Sequence, residues 1–393
     1  MKIAYITNAT DPFGGASKAL FSIITELTKH GVEPLVITPD KNGIYESWAE
    51  LGIPTMAINY RQSVYPPIRN IKDFLFFPLR LAGRIFLDYK AIKKLHRVLV
   101  DEEVQLVHSN TSVVRIGDIA ASKAGIPHIY HVREYGDIDF SMHYYPSWKS
   151  IHKRMNASYT LCITRGVQEH HGLSVNPKSK VVYDGVMPQQ PSMSESPAKK
   201  SYFLYAGRIE PAKGLDQLLD GYIAYVKSAK TPLPLYVAGA SRMPLYMDSI
   251  KKQIKDSGIE DKVKFLGLLD DIYGAMRNAA AIVIASPFEG FGFCMAEAMF
   301  NKCLVIGRNT AGTKEQFDNG VRFTGSEIGL RYNSNDELTE MLSKVTTADA
   351  HEFDSMKELA FKIVNSMYTS ENCAREVLEV YNKILNHNDT IHS

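Results

Sequence analysis

Ser286-Pro287-Phe288-Glu289-Gly290-Phe291-Gly292-Phe293-Cys294-Met295-Ala296-Glu297-Ala298-Met299 follows directly on the apolar run Ala281-Ile282-Val283-Ile284-Ala285. The run is short, β-branched and uninterrupted, which predicts a strand buried on both faces. Pro287 ends it. Gly290 and Gly292 permit a tight turn with exposed backbone, and Phe293 to Phe300 suits a helix. Strand, glycine loop and helix N-terminus together aim several free N–H groups at one spot, where the helix dipole favours an anion. Glu289 and Glu297 frame that spot. A carboxylate repels phosphate but accepts from hydroxyls, so the pattern fits a ligand carrying both groups, such as a sugar nucleotide. A short glycine turn beside a solvated helix carboxylate is the alternative reading of the same residues.

A second cluster, Gly207-Arg208-Ile209-Glu210-Pro211-Ala212-Lys213-Gly214, follows a strand expected at Tyr202 to Ala206 and opens a helix expected at Leu215 to Ser228. Arg208 and Lys213 bracket that helix N-terminus, so both cations and the dipole can act on one anion. When a sugar leaves a nucleoside diphosphate, negative charge builds on the diphosphate. Two cations plus backbone amides stabilise it in the transition state and make a metal dispensable. No D-x-D motif occurs in a suitable loop, Asp137-Ile138-Asp139 being the nearest, and no His/Cys/Asp cluster has ligand spacing. No metal and no cofactor are expected.

The 393 residues suffice for two domains, each with its own core. Hydrophobic content of 45% and charged content of 22% are ordinary for a globular protein. Lys+Arg 45 against Asp+Glu 43 leaves +2, which argues against a nucleic-acid partner. The 4 cysteines form no C-x-x-C pair and lie in apolar contexts, as buried reduced thiols of a cytoplasmic protein would. The apolar run after Met1-Lys2 is too short for a signal peptide core, and Arg80 and Arg84 break the best membrane-span candidate, Phe74 to Phe86.

The chain opens as strand Lys2 to Thr7, loop Asn8 to Gly15, helix Ala16 to His30 and strand Val32 to Thr38, a βαβ unit of a parallel sheet. It lacks G-x-G-x-x-G and an acidic end to its second strand, which argues against an NAD-binding dehydrogenase. Strand and helix alternate up to Lys180-Val181-Val182-Tyr183-Asp184-Gly185-Val186. Pro, Ser and Gln then crowd Pro188 to Lys200, which reads as a linker. A second alternating unit follows, helical only after Ala348. Domains are expected at 1–187 and 201–365, with linker 188–200 and a C-terminal helix and tail at 366–393.

The motifs resemble those of the GT-B glycosyltransferases, specifically the retaining family 4, often called group 1. Glu289 and Glu297 match its E-x7-E signature, and Gly207-Arg208 to Lys213-Gly214 match its G-R-x-x-x-x-K-G at every fixed position. Ala311-Gly312-Thr313-Lys314-Glu315 is similar to its G-G-x-x-E loop, with Ala311 in place of glycine. Cys303 stands for a proline, and Asp184 for the asparagine of its N-G-V hinge. The resemblance implies an α/β fold of two Rossmann-like domains facing each other across a cleft, with the last helix, Ala374 to Leu385, returning to the first. It implies transfer of a sugar, retained in configuration, from a nucleotide-diphosphate sugar to a glycan or lipid-linked acceptor, as in cell-surface polysaccharide synthesis.

The resemblance also implies the roles. Arg208 and Lys213 hold the donor diphosphate, and Glu289 meets the transferred sugar. Glu297 accepts from the ribose, and Gly207, Gly290, Phe291, Gly292 and Phe293 shape the donor site. Gly14-Gly15 is the paired glycine loop beside donor and acceptor, unless it is a plain βα turn. His131 ends a first-domain strand and donates to a sugar hydroxyl, and Arg133 supplies charge near phosphate or acceptor; a structural role is open for both. A 2-epimerase on the same plan would need acid/base residues instead of G-R-x-x-x-x-K-G. A non-catalytic binding subunit would have less use for intact Arg208, Lys213, Glu289 and Glu297.

Tyr60 to Arg97 is the least family-like stretch, mixing Tyr65, Phe74, Phe76, Phe77 and Phe86 with nine Lys and Arg and only two acids, Asp73 and Asp88. Two readings stand: a basic aromatic helix docked on an anionic membrane surface, giving a peripheral protein, or a solvated helix whose aromatics belong to the core.

Overall fold

The computed structural model describes residues 1–8, 11, 14–68, 70–186, 201–349 and 351–392, with side chains as far as residue 386. The expected linker 188–200 and Arg69 lie outside the described residues. The chain divides into two units, Met1–Gly185 with Ser370–Ser393, and Val186–Thr369.

The first unit is a seven-stranded parallel sheet: β1 (Lys2–Ile6), β2 (Glu33–Thr38), β3 (Thr55–Ala57), β4 (Leu106–Ser109), β5 (His128–Val132), β6 (Tyr159–Cys162) and β7 (Ser179–Val181), in the order β3-β2-β1-β4-β5-β6-β7. The central strands β4 and β5 are buried throughout, including their polar His108, Ser109, His128 and His131, while the edges β3 and β7 are half-buried. Side chains alternate between the two faces of β1. Ile3 and Tyr5 join a core with Leu20, Ile24 and Leu27 of helix Gly15–Lys29. Ala4 and Ile6 join another with Leu95 and Leu99 of helix Phe77–Asp101. The C-terminal helix Ser370–His392 belongs to this unit and buries Ala374, Val377 and Tyr381 in the first of these cores. Full burial of a side chain the size of Val377 contributes roughly 1.5–3 kcal/mol.

The second unit repeats the plan with six parallel strands: β8 (Phe203–Ala206), β9 (Leu235–Ala238), β10 (Val263–Gly267), β11 (Ala281–Ile284), β12 (Val305–Arg308) and β13 (Leu330–Tyr332), ordered β10-β9-β8-β11-β12-β13. In both units the strand order reverses beside the first strand, between β1 and β4 and between β8 and β11. Open α/β sheets bind ligands at the carboxyl ends of the strands flanking such a point.

One local expectation fails. Ala311 to Glu315 is not a loop but the first turn of helix Ala311–Thr324. Its start is held from outside: the Gly312 N–H donates to Glu289 O at 2.9 Å, and Gln316 Nε2 donates to Phe291 O at 2.6 Å. Nor is Ala311 a neutral replacement for glycine. Its φ of 48° lies in the left-handed region, which disfavours a side chain by roughly 1–2 kcal/mol. Helix Arg115–Ala124 starts no earlier than Arg115, because Asn110, Thr111 and Ser112 spend their polar groups on neighbouring segments.

Candidate active site

In the second unit the loops after β8 and β11 meet at the switch point. Gly214 makes the junction, with φ 67°; a Cβ there would lie 2.3 Å from Ala285 O. Lys213 Nζ donates to Glu289 Oε1 at 2.7 Å, and Ser286 Oγ donates to the same oxygen at 2.6 Å. Both members of the ion pair are largely withdrawn from water, with side chains 24% and 18% exposed, so their mutual attraction is only partly screened. Arg208 is half exposed and pairs with Glu210 at 3.0 Å. Each of the two expected diphosphate cations therefore already holds a carboxylate. Glu210 sits in the quoted motif, but its pairing was not foreseen. The Tyr205 hydroxyl donates to Arg208 O at 2.9 Å and is held well above the usual range by burial, with Tyr246 and the Glu289 and Glu210 carboxylates adding to it.

Gly292 takes φ 95° and leads into helix Phe293–Phe300, whose N-terminus carries no side-chain cap. The Phe291 ring is buried edge-on against Phe293 and Tyr368, so at this residue only backbone can face a ligand. Glu297 lies on the helix, half-buried, and accepts from Tyr273 Oη at 3.2 Å.

In the first unit the corresponding edge is built from the loops after β1, β4 and β5. Gly14 precedes helix Gly15–Lys29, and Asn110 Nδ2 donates to Ala16 O at 2.9 Å. His131 is fully buried within β5. Arg133 is not an open cation: it is buried, its Nη1 pairs with Asp184, and its Nε donates to Asn110 Oδ1 at 2.9 Å. Asp184 is held by this partner, yet burial raises its carboxyl above the usual range. Glu134, the next residue, was overlooked. It is buried, accepts from Ser112 N and Oγ at 2.9 and 2.5 Å, and burial pushes its carboxyl up to about 7.

Two of the expected glycines have no internal reason to be glycine. Neither Gly14 nor Gly207 uses left-handed backbone, and an added Cβ would meet nothing nearer than Asp11 O at 3.5 Å or the Tyr205 hydroxyl at 3.7 Å. Gly14→Ala and Gly207→Ala are therefore expected to melt no lower than the parent, since such replacements stabilise by about 0.4–1 kcal/mol where the backbone allows them. If the space serves a ligand, donor KM rises by on the order of tenfold in both. Unaltered kinetics in both variants would return them to plain turns.

Two parallel sheets of this strand order, one with paired cations and a glycine-led helix at its switch point, define a GT-B fold. HepE of Anabaena, solved with UDP, shares that fold at a TM-score of 0.75 and 19% identity, over 98% of this chain and 100% of HepE. Two family models match in succession, Glycosyltransferase Family 4 over residues 13–190 and Glycosyl transferases group 1 over residues 187–352. The chain belongs to the group 1 glycosyltransferases, a family of transferase enzymes. It is 26% identical to the lipopolysaccharide core biosynthesis mannosyltransferase LpsB of Rhizobium meliloti over 48% of this chain and 53% of LpsB. Over 24% of this chain it is 32% identical to the mannosylfructose-phosphate synthase of Agrobacterium fabrum, covering 22% of that protein. The matched segments thus span about half or less of these relatives.

Proposed function

We propose that the protein transfers a sugar from a nucleoside diphosphate to a glycan or lipid-linked acceptor, with retention and without a metal, in the building of cell-surface polysaccharide. The observation that carries this is the convergence of Lys213, the Glu289 loop and an uncapped helix N-terminus at the β8/β11 switch point. HepE, of the same fold, has been solved with UDP-glucose, and LpsB builds lipopolysaccharide core. In the reaction the bond from C1 to the phosphate oxygen breaks and its electron pair goes to the diphosphate. Arg208, Lys213 and the amides of Gly292 and Phe293 stabilise that charge. The acceptor hydroxyl attacks C1 from the same face and passes its proton to the departing phosphate oxygen. Glu289 lies beside the positive charge developing at C1, and Glu297 holds the ribose. The test is thermal stabilisation by UDP, GDP and ADP, followed by turnover in EDTA. A bound nucleotide at ~100 times its Kd adds about 2.7 kcal/mol. No shift with any nucleotide would overturn the donor assignment, and loss of turnover in EDTA with rescue by Mg2+ would overturn metal independence.

The stretch Tyr60 to Arg97 favours a membrane surface over a core role. Phe74, Phe76 and Phe86 are 66%, 55% and 58% exposed, as are Ile71 and Leu79 at 79% and 69%, whereas Tyr60 is buried. These residues lie on or beside helices Ile71–Leu75 and Phe77–Asp101, with Lys72, Lys90, Lys93 and Arg97 also exposed. The acids are spent: Asp73 pairs with Arg80, and Asp88 is buried beside Arg115. Among the described residues no helix is long and apolar enough to cross a membrane. Exposed aromatics flanked by unopposed cations match an anionic bilayer. Binding to anionic vesicles is expected to weaken with salt and to fall by on the order of 10-fold or more in Lys90→Glu/Lys93→Glu, at about 1 kcal/mol per cation near the surface. Indifference to salt and to both replacements in the folded variant would exclude it.

A further inference from the structure

His131 anchors a hydrogen-bond chain whose direction can be worked out from a single fact, that a guanidinium only donates. Arg133 Nη2 lies 3.1 Å from His131 Nδ1, so Nδ1 accepts and the ring proton of a neutral His131 sits on Nε2. His108 Nε2 also lies 3.1 Å from His131 Nδ1 and must then donate to it. That leaves His108 Nδ1 as an acceptor, and Tyr381 Oη stands 2.5 Å from it as the donor. Tyr5 Oη of β1, 3.3 Å from Tyr381 Oη, competes for that single phenolic proton, and the 2.5 Å contact to His108 Nδ1 takes it. Burial holds both imidazoles well below their usual pKa, with Arg133 adding to the effect, so both rings are neutral near pH 7.

The chain has one loose end. His131 Nε2 is buried and has no hydrogen-bond partner among the described residues. Leaving a buried N–H unsatisfied costs about 1–3 kcal/mol, which an unrelated structural histidine would avoid. It stands at the carboxyl edge of the sheet, on the strand whose end also carries Arg133 and, through Asn110, the start of helix Gly15–Lys29.

We propose that Tyr381 of the C-terminal helix and His108 of β4 are positioning residues that hold His131 as a neutral Nε2–H donor to an oxygen of the sugar nucleotide. The inference rests on the sugar-transfer reading for its ligand but not for its geometry. It gives the C-terminal helix a second task besides packing, because the residue that sets the ring state is 273 positions from His108 in sequence.

The test is a long-range proton–nitrogen NMR correlation on protein with 15N-labelled histidine, paired with steady-state kinetics. Both rings, assigned with His131→Gln and His108→Gln, are expected as Nε2–H tautomers at pH 7 without any ligand. In Tyr381→Phe the His108 signals should move toward a tautomer mixture, while kcat falls about 5- to 10-fold, the effect of losing one positioning hydrogen bond. His108→Gln, whose amide can still donate to His131, should retain more activity than His108→Leu. UDP, GDP or ADP binding by thermal shift should be unchanged in Tyr381→Phe, which separates this result from failure of the donor reading. An Nδ1–H tautomer or an imidazolium at His131 would overturn the proposal. So would unaltered kcat in both Tyr381→Phe and His108→Leu when each melts within a few degrees of the parent.

Discussion

Lys213→Ala is expected to lower kcat by on the order of 10²-fold or more, the loss seen when one preorganised donor to a developing anion is removed. The side chain is held 2.7 Å from Glu289 and is partly withdrawn from water, so it needs little reorganisation when a diphosphate replaces the carboxylate. Its effect grows with the charge on the leaving group, which appears in kcat more than in ground-state binding. The ion pair adds a second expectation with a definite sign. Glu289 competes with phosphate for Lys213, and Glu289→Gln removes that competition while leaving an oxygen for the Ser286 hydroxyl. Free nucleotide should bind Glu289→Gln at least as tightly as the parent, although turnover falls because the carboxylate no longer faces C1. A normal kcat in Lys213→Ala would refute the leaving-group role. Weaker nucleotide binding in Glu289→Gln would show that the carboxylate supports the anion site rather than opposing it.

Arg133→Met should cost roughly 3–5 kcal/mol, the usual result of breaking a buried ion pair and stranding one charge. Arg133 and Asp184 side chains are 3% and 2% exposed. Without its cation, Asp184 must be desolvated unpaired or take a proton, and burial already raises its carboxyl. The melting temperature is expected to fall by roughly 6–20 °C, at about 2–4 °C per kcal/mol for a unit of this size. Adding Asp184→Leu should restore most of that stability, because a well-packed apolar pair is often equal to a buried ion pair. Turnover should stay low in the double variant, since His131 loses the guanidinium that sets its tautomer. If the double variant melts as low as Arg133→Met, the cost lies in Asn110 and the loops it ties rather than in the stranded carboxylate. Full activity in a stable double variant would remove Arg133 from any part in positioning His131.

Much of the second unit was legible because its signals are local. A short, uninterrupted β-branched run closed by Pro287 favours a strand covered on both faces, and Ala281 to Ile284 is buried throughout. Helix Leu215–Ser228 and helix Phe293–Phe300 begin and end where their glycines and apolar spacing place them. The loop expected at Ala311 to Glu315 was wrong for the opposite reason. Gly312 and Thr313 offer weak helix propensity, and the turn forms because Glu289 O and Phe291 O accept its donors. On Phe74, Phe76 and Phe86, aromatic residues in a helical segment did not say which way they would face. The packing left them in water.

By itself, the sequence determined the alternating α/β plan and the glycine turns that follow β8 and β11, since strand burial, helix caps and glycine turns are decided within a few neighbours. Tertiary structure alone decided the partners. Lys213 meets Glu289 across 76 residues because β8 lies beside β11 in the sheet order, not because anything near either residue calls for the other. His108 meets Tyr381 across 273 residues because the C-terminal helix packs on the same face as Tyr5. Charge and hydrogen-bond capacity are written residue by residue. Which donor meets which acceptor, and whether a cation such as Arg133 remains open or is consumed by Asp184, depends on strand order and on the faces that apolar burial brings together.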